Sequence, residues 1–217
     1  MASMTTTAPP GRRPRADAER NRRRVLDAAT RVFAEHGPAA TLGDVARAAG
    51  VGVGTIYRKF PDKQALLDAL FDDKIDGIMQ IVDEAATIPD AGDAFRAYLF
   101  GMIELHARDR SVATVLFSPG RYDRFPPELS ERLGSTADRL IADAVAAGEL
   151  RPGFTRQDTI ALAAMVSTIA LASRDTDPEL WRRYAAFVIH GTRPAVDRLE
   201  PDPPGFRTMT EALSRVL

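Results

Sequence analysis

The sequence contains no cysteine and only three histidines. The absence of cysteine excludes disulfides, thiolate nucleophiles and cysteine-ligated metal centres, and it fits a reducing compartment. His36, His106 and His190 lie in different predicted elements, and no H-E-x-x-H, G-x-S-x-G or phosphate-binding glycine motif is present. We therefore expect no metal, no cofactor and no enzyme activity.

Long apolar runs are also missing. No segment of the sequence is long enough and apolar enough to span a bilayer, and the opening MASMTTTAPPGRRPR lacks the apolar core of a secretory signal. We expect a cytoplasmic protein with no membrane partner. The 217 residues are enough to bury one good core, or a small core and a larger one, without disulfides.

The net charge of −1 conceals an uneven distribution along the chain. Residues 1–60 contain eleven Lys or Arg and five Asp or Glu. Residues 61–217 contain eighteen Lys or Arg and twenty-five Asp or Glu. The first part is therefore +6 and the remainder −7. Such a division suggests that one end of the protein meets a polyanion, although a solvated basic tail is the alternative.

Apolar residues recur at helical spacing along most of the chain, which predicts an all-α fold. Glycine and proline mark the ends of several predicted helices. Residues 1–16 are rich in Thr, Pro and Arg with little to bury, so they are predicted to form a disordered basic arm. The longer predicted helices span residues 17–36, 63–87, 94–107, 128–147, 156–173 and 178–190.

The stretch from Thr41 to Lys63, TLGDVARAAGVGVGTIYRKFPDK, predicts two short helices joined by a tight turn. Thr41 is placed to cap the first helix, and Gly50 to end it in the left-handed conformation. The second helix then carries hydroxyls and cations on its outer side, which suits contact with a DNA duplex. The side chains expected to pack inward from this helix are Val53, Ile56 and Phe60.

This stretch resembles the DNA-binding signature of the tetracycline-repressor (TetR) family, in which the second short helix enters the major groove. The resemblance covers residues 20–71 and rests beyond them on helical pattern and length. Gly52 stands where the family usually has serine, and Lys59 where it often has histidine. The matching positions are Thr41, Val45, Ala46, Ala49, Gly50, Val51, Gly54, Ile56, Tyr57, Phe60, Lys63 and Leu66.

The resemblance implies a transcriptional repressor that binds a palindromic operator as a homodimer and is released by a small-molecule effector. It implies an N-terminal three-helix unit containing a helix-turn-helix, joined by a long helix to a C-terminal bundle for ligand binding and dimerisation. We assign residues 17–63 to the DNA-binding domain and residues 64–217 to the effector-binding and dimerisation domain. The expected partners are double-stranded DNA, the effector and a second copy of the chain.

DNA contacts are expected from the second short helix and its flanks. Arg58 is the candidate for a guanine edge, and Thr55 for a thymine methyl or another base edge. Phosphates are expected to be held by Thr41, Tyr57, Lys59 and Lys63. The two lysines would act by charge, and Thr41 partly through the start of its helix. The predicted DNA-binding residues are Thr41, Gly54, Thr55, Tyr57, Arg58, Lys59 and Lys63.

Apolar and aromatic side chains of the central helices are candidates to line a cavity, with His106 as its polar group. The alternative is an ordinary core, because aromatics at helical spacing are more often interior packing. The family resemblance favours the cavity, and the residue types favour a hydrophobic or aromatic effector. The predicted pocket residues are Phe95, Leu99, Met102, Ile103, His106, Phe117, Phe125 and Met165.

The helices predicted at 156–173 and 178–190 are apolar on more than one side, so they need additional partners. We expect them to pack against a symmetry mate as a four-helix bundle. The alternatives are a single-chain core or an adaptor that binds another protein, and the adaptor leaves the basic N-terminal part unexplained. The predicted interface residues are Ile160, Ala164, Thr168, Trp181, Tyr184 and Val188.

Overall fold

The structure, a computed structural model, describes residues 13–109, 111–116, 127–194 and 204–213. All regular secondary structure in these ranges is helical, which confirms the predicted all-α fold. None of the helices in this part of the chain is long and apolar enough to cross a membrane. The chain divides into two compact units between Leu66 and Leu67.

The described part of the first unit comprises α1 (Arg13–His36), α2 (Leu42–Ala49), α3 (Val53–Lys59) and the start of α4 (Lys63–Ala85). A short 3-10 helix, Gly37–Ala39, follows α1. α1 packs against α2, and α2 packs against α3. Because α2 and α3 are too short to be stable alone, this packing holds them in the helical state.

The chain becomes helical earlier than the sequence predicts. Residues 13–16, which we assigned to a disordered arm, form the first turn of α1. Pro14 fits a first turn because the N–H that proline lacks has no intrahelical partner there. The rest of the predicted arm, residues 1–12, lies outside the described residues.

Local hydrogen bonds explain why α2 begins and ends where it does. The backbone N–H of Asp44 donates to Thr41 Oγ1 over 3.2 Å, and the backbone N–H of Thr41 donates to Asp44 Oδ2 over 3.1 Å. This reciprocal pair is a capping box. Gly50 ends the helix at φ 63° and ψ 36°, in the left-handed region that favours glycine. The predicted cap at Thr41 and stop at Gly50 are confirmed.

Gly50→Ala is expected to lower the free energy of unfolding by about 1–2 kcal/mol, because a Cβ is strained in the left-handed conformation. Gly50→Asn is the matched control and is expected to lose less, since asparagine tolerates this conformation. Urea unfolding followed by far-UV circular dichroism measures both losses. Equal losses in the two variants would contradict a backbone origin.

The second unit is built around α5. Its helices, besides the rest of α4, are α5 (Ala91–Arg108), α6 (Ser111–Leu116), α7 (Pro127–Ala146), α8 (Arg156–Ser173), α9 (Trp181–Gly191) and α10 (Phe206–Leu213). α5 packs against α6, α7, α8 and α9, and α8 also packs against α7, α9 and α10. The second unit is therefore a helical bundle with α5 on its inside.

Buried side chains along α5 account for its central position. Phe95, Leu99 and Ile103 are each at most 2% exposed, and the Phe95 ring meets the Phe154 ring edge-on at a centroid distance of 5.2 Å. Gly101 lets α4 approach closely, because a Cβ there would lie 2.7 Å from Ile81 Cγ2. α5 thus has neighbours on several sides.

Candidate nucleic-acid interface and effector region

Two apolar side chains fix α3 to the first unit. Ile56 is 1% exposed and Phe60, which follows the helix as its C-cap, is 3% exposed. The N–H of Phe60 donates to the carbonyl oxygen of Ile56 over 2.7 Å. Because α3 has only seven residues, burial of this one side leaves the opposite side of the helix facing outward.

The outward side of α3 carries most of the predicted DNA-binding residues. Gly54, Tyr57, Arg58 and Lys59 are exposed, and Thr55 is half-buried. Arg58 Nη2 donates to Thr55 Oγ1 over 3.3 Å. The two side chains predicted to contact bases are therefore joined to each other on the surface of the helix.

Val53 is a correction to the sequence prediction. We expected this side chain to pack inward with Ile56 and Phe60, but it is 51% exposed. Val53 is the first residue of α3, and the buried contacts of this short helix come one turn later. The outward side of α3 therefore includes the exposed apolar side chain of Val53.

The capping box engages both donors of Thr41. Besides its backbone N–H, the Thr41 hydroxyl donates to Asp44 Oδ2 over 2.5 Å. Hydrogen bonds from Thr41 hold the pKa of the Asp44 carboxyl below its usual value. Asp44 Oδ1 also accepts a hydrogen bond from Arg47 Nη1 over 3.3 Å. Arg47 is an exposed cation that was not among the predicted DNA-binding residues. A phosphate contact at this end of α2 would draw on the first free amides of the helix rather than on the hydroxyl.

Lys63 and Lys59 differ in their surroundings. The Lys63 ammonium lies 5.4 Å from the centroid of the Phe33 ring, a distance within the range of a cation–π contact. Lys63 is half-buried and Lys59 is exposed. The predicted DNA-binding residues therefore lie at the start of α2, along α3 and at the start of α4.

Five of the predicted pocket residues lie on one buried face of α5. His106 is 3% exposed among them. Burial lowers the pKa of His106 to about 4, and nearby Asp109 acts against the shift. The imidazole is therefore neutral near pH 7 and has both a donor and an acceptor nitrogen. The five residues are Phe95, Leu99, Met102, Ile103 and His106.

The other three predicted pocket residues do not join this group. Phe117 and Phe125 lie outside the described residues. Met165 is 62% exposed, so its placement in an interior pocket is wrong. Its neighbours Ala164 and Val166 are buried instead, because they occupy the side of α8 that faces the bundle.

A buried ion pair in the second unit was missed by the sequence analysis. Lys74 Nζ lies 2.7 Å from Asp109 Oδ2 and 3.6 Å from Asp73 Oδ2, and the Lys74 side chain is only 8% exposed. Asp109 Oδ1 also accepts from the Ser111 backbone N–H over 2.9 Å. Asp109 thus joins α4 to the connection between α5 and α6. The signal was present, since Lys74 falls on the apolar stripe of α4 between Phe71 and Ile78.

The predicted interface residues on α8 and α9 divide by exposure. Ala164 and Trp181 are 5% and 1% exposed and belong to the interior of the bundle. The Trp181 ring lies under the guanidinium groups of Arg182 and Arg108, at 4.7 and 5.6 Å from its centroid. Tyr184 and Thr168 are exposed, and Ile160 and Val188 are half-buried. Exposed apolar residues that the prediction missed are Met165, Leu171 and Phe187.

A cleft of about 490 Å³ opens between α7 and the start of α8. Ile141, Val145 and Phe154 contribute apolar lining, and Arg156 and Asp138 form an ion pair of 2.6 Å at the cleft. None of the six predicted pocket residues that the structure describes lines it. Within the described ranges, no group of three or more His, Asp or Glu side chains is placed to hold a metal ion.

Two family profiles match the chain. The profile described as bacterial regulatory proteins, tetR family, matches residues 25–70. The profile described as the C-terminal domain of SbtR-like transcriptional regulators matches residues 90–194. The first match contains α2 and α3, and therefore the outward side of α3 described above. The second match begins at the residue before α5 and includes α5 through α9.

Individual relatives agree with these profiles. The HTH-type transcriptional repressor LfrR of Mycolicibacterium smegmatis is 56% identical over 52 residues, which is 24% of this chain and 27% of that protein. The chain spans between 27% and 43% of the length of the first curated relatives that it matches. The structure of LfrR from Mycobacterium smegmatis in complex with proflavine has a TM-score of 0.63 at 27% identity, covering 81% of this chain and 96% of that one. The TetR transcriptional regulator SCO0520 from Streptomyces coelicolor has a TM-score of 0.54 at 29% identity, covering 81% and 99%.

Proposed function

We propose, from the membership of this chain in the tetR family of bacterial transcriptional regulators, that it represses transcription by binding a palindromic operator as a homodimer. A member of this family is a regulator and not an enzyme. In this proposal residues 17–63 form the DNA-binding domain and residues 64–217 the effector-binding and dimerisation domain. A small-molecule effector releases the protein from DNA by favouring a conformer that does not fit the operator.

The observation that carries this proposal is the outward side of α3, held in place by buried Ile56 and Phe60. Its hydroxyls and cations match the groups that a major groove and its phosphates offer. Arg58 and Thr55 would contact base edges, and Tyr57 a base edge or a phosphate. Thr41, Lys59 and Lys63 would position the protein on phosphates, and Gly54 would allow close approach.

Dimerisation is supported by the exposed apolar side chains of α8 and α9. Met165 and Phe187 are 62% and 60% exposed, and Leu171 and Tyr184 are 44% and 40% exposed. A second copy of the chain would cover them, and two copies would present two α3 helices to paired half-sites. The half-buried Ile160 and Val188 and the exposed Thr168 would extend the same interface.

The effector proposal rests on the buried face of α5. Apolar side chains around one neutral imidazole suit a hydrophobic or aromatic compound that makes a single directed hydrogen bond. LfrR was solved with proflavine, a planar aromatic molecule, which supports the same class of effector here. A thermal-shift screen in which only highly polar metabolites raise Tm would contradict this class.

Selection from a pool of random DNA duplexes tests the proposal as a whole. The recovered sequences are expected to share an inverted repeat, and their affinity should fall steeply as salt rises, because phosphate contacts release counterions. An enzyme or an adaptor would give neither result. Recovery of a single unpaired site would contradict the homodimer while preserving DNA binding.

Arg58→Ala and Lys63→Ala are expected to weaken operator binding in different ways. The loss of Arg58 should cost about 1–3 kcal/mol and relax the choice of base at one position of each half-site. The loss of Lys63 should weaken all duplexes alike and lower the slope of log affinity against log salt by about one. Gel-shift titrations across salt concentrations and operator variants measure both, and the opposite pattern would reject these two roles.

A further inference from the structure

Gly54 lies inside α3 without a structural need for glycine. Its φ is not positive, in contrast to that of Gly50, and a Cβ placed on it would meet no heavy atom of the described residues within 4 Å. Glycine within a helix lowers stability relative to alanine, because it loses more backbone freedom on folding. The packing of the described chain therefore does not explain why this position lacks a side chain.

Exposed, largely apolar side chains lie on one side of Gly54, and the exposed cation Arg58 lies four residues further along α3. Val53 and Tyr57 lie one turn apart on α3 and are each 51% exposed. Gly54 directly follows Val53 and lies three residues before Tyr57, and residues three and four apart on a helix are neighbours, so the three positions form one patch of the helix surface. The Val53 and Tyr57 side chains therefore border a place where the backbone of Gly54 is bare, and we call these three residues the α3 notch.

We propose that the α3 notch holds the C5 methyl group of one thymine in each operator half-site, with Gly54 giving the base edge room to approach. This inference rests on the proposed DNA-binding function. Thymine alone carries a methyl group in the major groove, and a polar base edge against Val53 would lose hydrogen bonds to water without replacement. The neighbouring cations Arg58 and Lys59 are exposed on the same helix and suit the flanking phosphates and bases.

Deoxyuridine scanning tests the methyl contact, because deoxyuridine differs from thymidine only by the missing methyl group. Each thymine of a half-site recovered from the random pool is replaced in turn, and affinity is measured by gel shift. The wild-type protein should lose about fourfold in affinity at one of these positions. In Val53→Ala the same replacement should have no effect. Either the absence of a sensitive thymine or an unchanged sensitivity in Val53→Ala would overturn the inference.

Gly54→Ala tests the need for room, and Gly77→Ala in α4 is its matched control. A Cβ at Gly77 also meets no described heavy atom within 4 Å. Both variants should raise Tm by about 2–4 °C, because alanine favours the helix. Gly54→Ala should weaken operator binding by about tenfold through steric overlap with the base edge, whereas Gly77→Ala should leave it unchanged. A lower Tm or wild-type affinity in Gly54→Ala would overturn the inference.

The two proposals fail in different ways. If the random pool yields no enriched duplex for the wild-type protein, the DNA-binding function itself is rejected. If an operator is recovered and Arg58→Ala weakens binding to it, DNA binding stands. If deoxyuridine substitution and Gly54→Ala then leave the affinity unchanged, only the role of the α3 notch is rejected.

Discussion

Asp109→Asn is expected to lower the free energy of unfolding by about 3 kcal/mol, because it removes the carboxylate that lies nearest to a buried lysine among the described residues. Lys74 Nζ lies 2.7 Å from Asp109 Oδ2, and only 8% of the Lys74 side chain is exposed. Asparagine keeps the shape of aspartate and an oxygen that can accept from Ser111, so the loss reports mainly the missing charge. Urea unfolding at pH 7 measures it.

An exposed ion pair of the same length provides the control. Arg132 Nη2 lies 2.7 Å from Asp83 Oδ2, with side-chain exposures of 62% and 48%. Arg132→Ala is expected to lose less than about 1 kcal/mol, because water already screens that pair. Adding Lys74→Met to Asp109→Asn should recover part of the larger loss, since the buried ammonium of Lys74 is then removed as well. Equal losses in Arg132→Ala and Asp109→Asn would show that burial of Lys74 is unimportant.

Acidification from pH 7 to 4.5 is expected to destabilise the protein by about 2.5 kcal/mol through His106 alone. Burial lowers the pKa of His106 from 6.5 to about 4 in the folded state. Between these two values the unfolded chain binds a proton that the folded chain does not, so stability falls as pH falls through this window. The contribution of neutral His106 to the free energy of unfolding is fully present above pH 6.5, and it is lost as the pH falls toward the folded-state pKa of about 4.

His106→Gln should flatten the dependence of the unfolding free energy on pH between 6.5 and 4.5, whatever its effect on stability at pH 7. His190→Gln is the control, because His190 is exposed, and it should keep the acid sensitivity of the wild-type protein. Urea midpoints across this pH range give the comparison. A wild-type dependence in His106→Gln would mean that His106 accepts a proton in the folded state as readily as in the unfolded chain.

The helix boundaries were the most predictable part of the fold, because local residues set them. The sequence predicted a helix over 156–173, and α8 is Arg156–Ser173. The Thr155 backbone N–H donates to Asp158 Oδ2 over 2.7 Å in a capping box that starts it. Caps of this kind involve residues three apart, so the sequence contains the whole signal.

Which side of an apolar helix faces its own chain was much less predictable. Met165 was expected inside and is exposed, whereas Trp181 was expected at an interface and is buried. α8 is apolar around much of its circumference, so periodicity does not indicate which side the other helices of the bundle cover. Val53 shows the same problem at the start of a short helix.

The polar interior of the second unit required tertiary structure. Nothing in the spacing of Lys74 and Asp109 relates them, because one lies in α4 and the other just after α5. The position of Lys74 on an apolar stripe suggests burial, but the partner that makes burial tolerable is known only once the helices are packed. His106 was identified as a polar group among apolar neighbours, and the degree of its burial came from the structure.

The protein has a single tryptophan, and it lies in the second unit. The indole of Trp181 is 1% exposed and sits against two guanidinium groups and, at a centroid distance of 5.9 Å, the Phe100 ring. Its intrinsic fluorescence therefore reports the docking of α9 on α5, and α2 and α3 contain no tryptophan of their own. An emission shift on adding an effector, with no DNA present, would show that the bundle responds on its own.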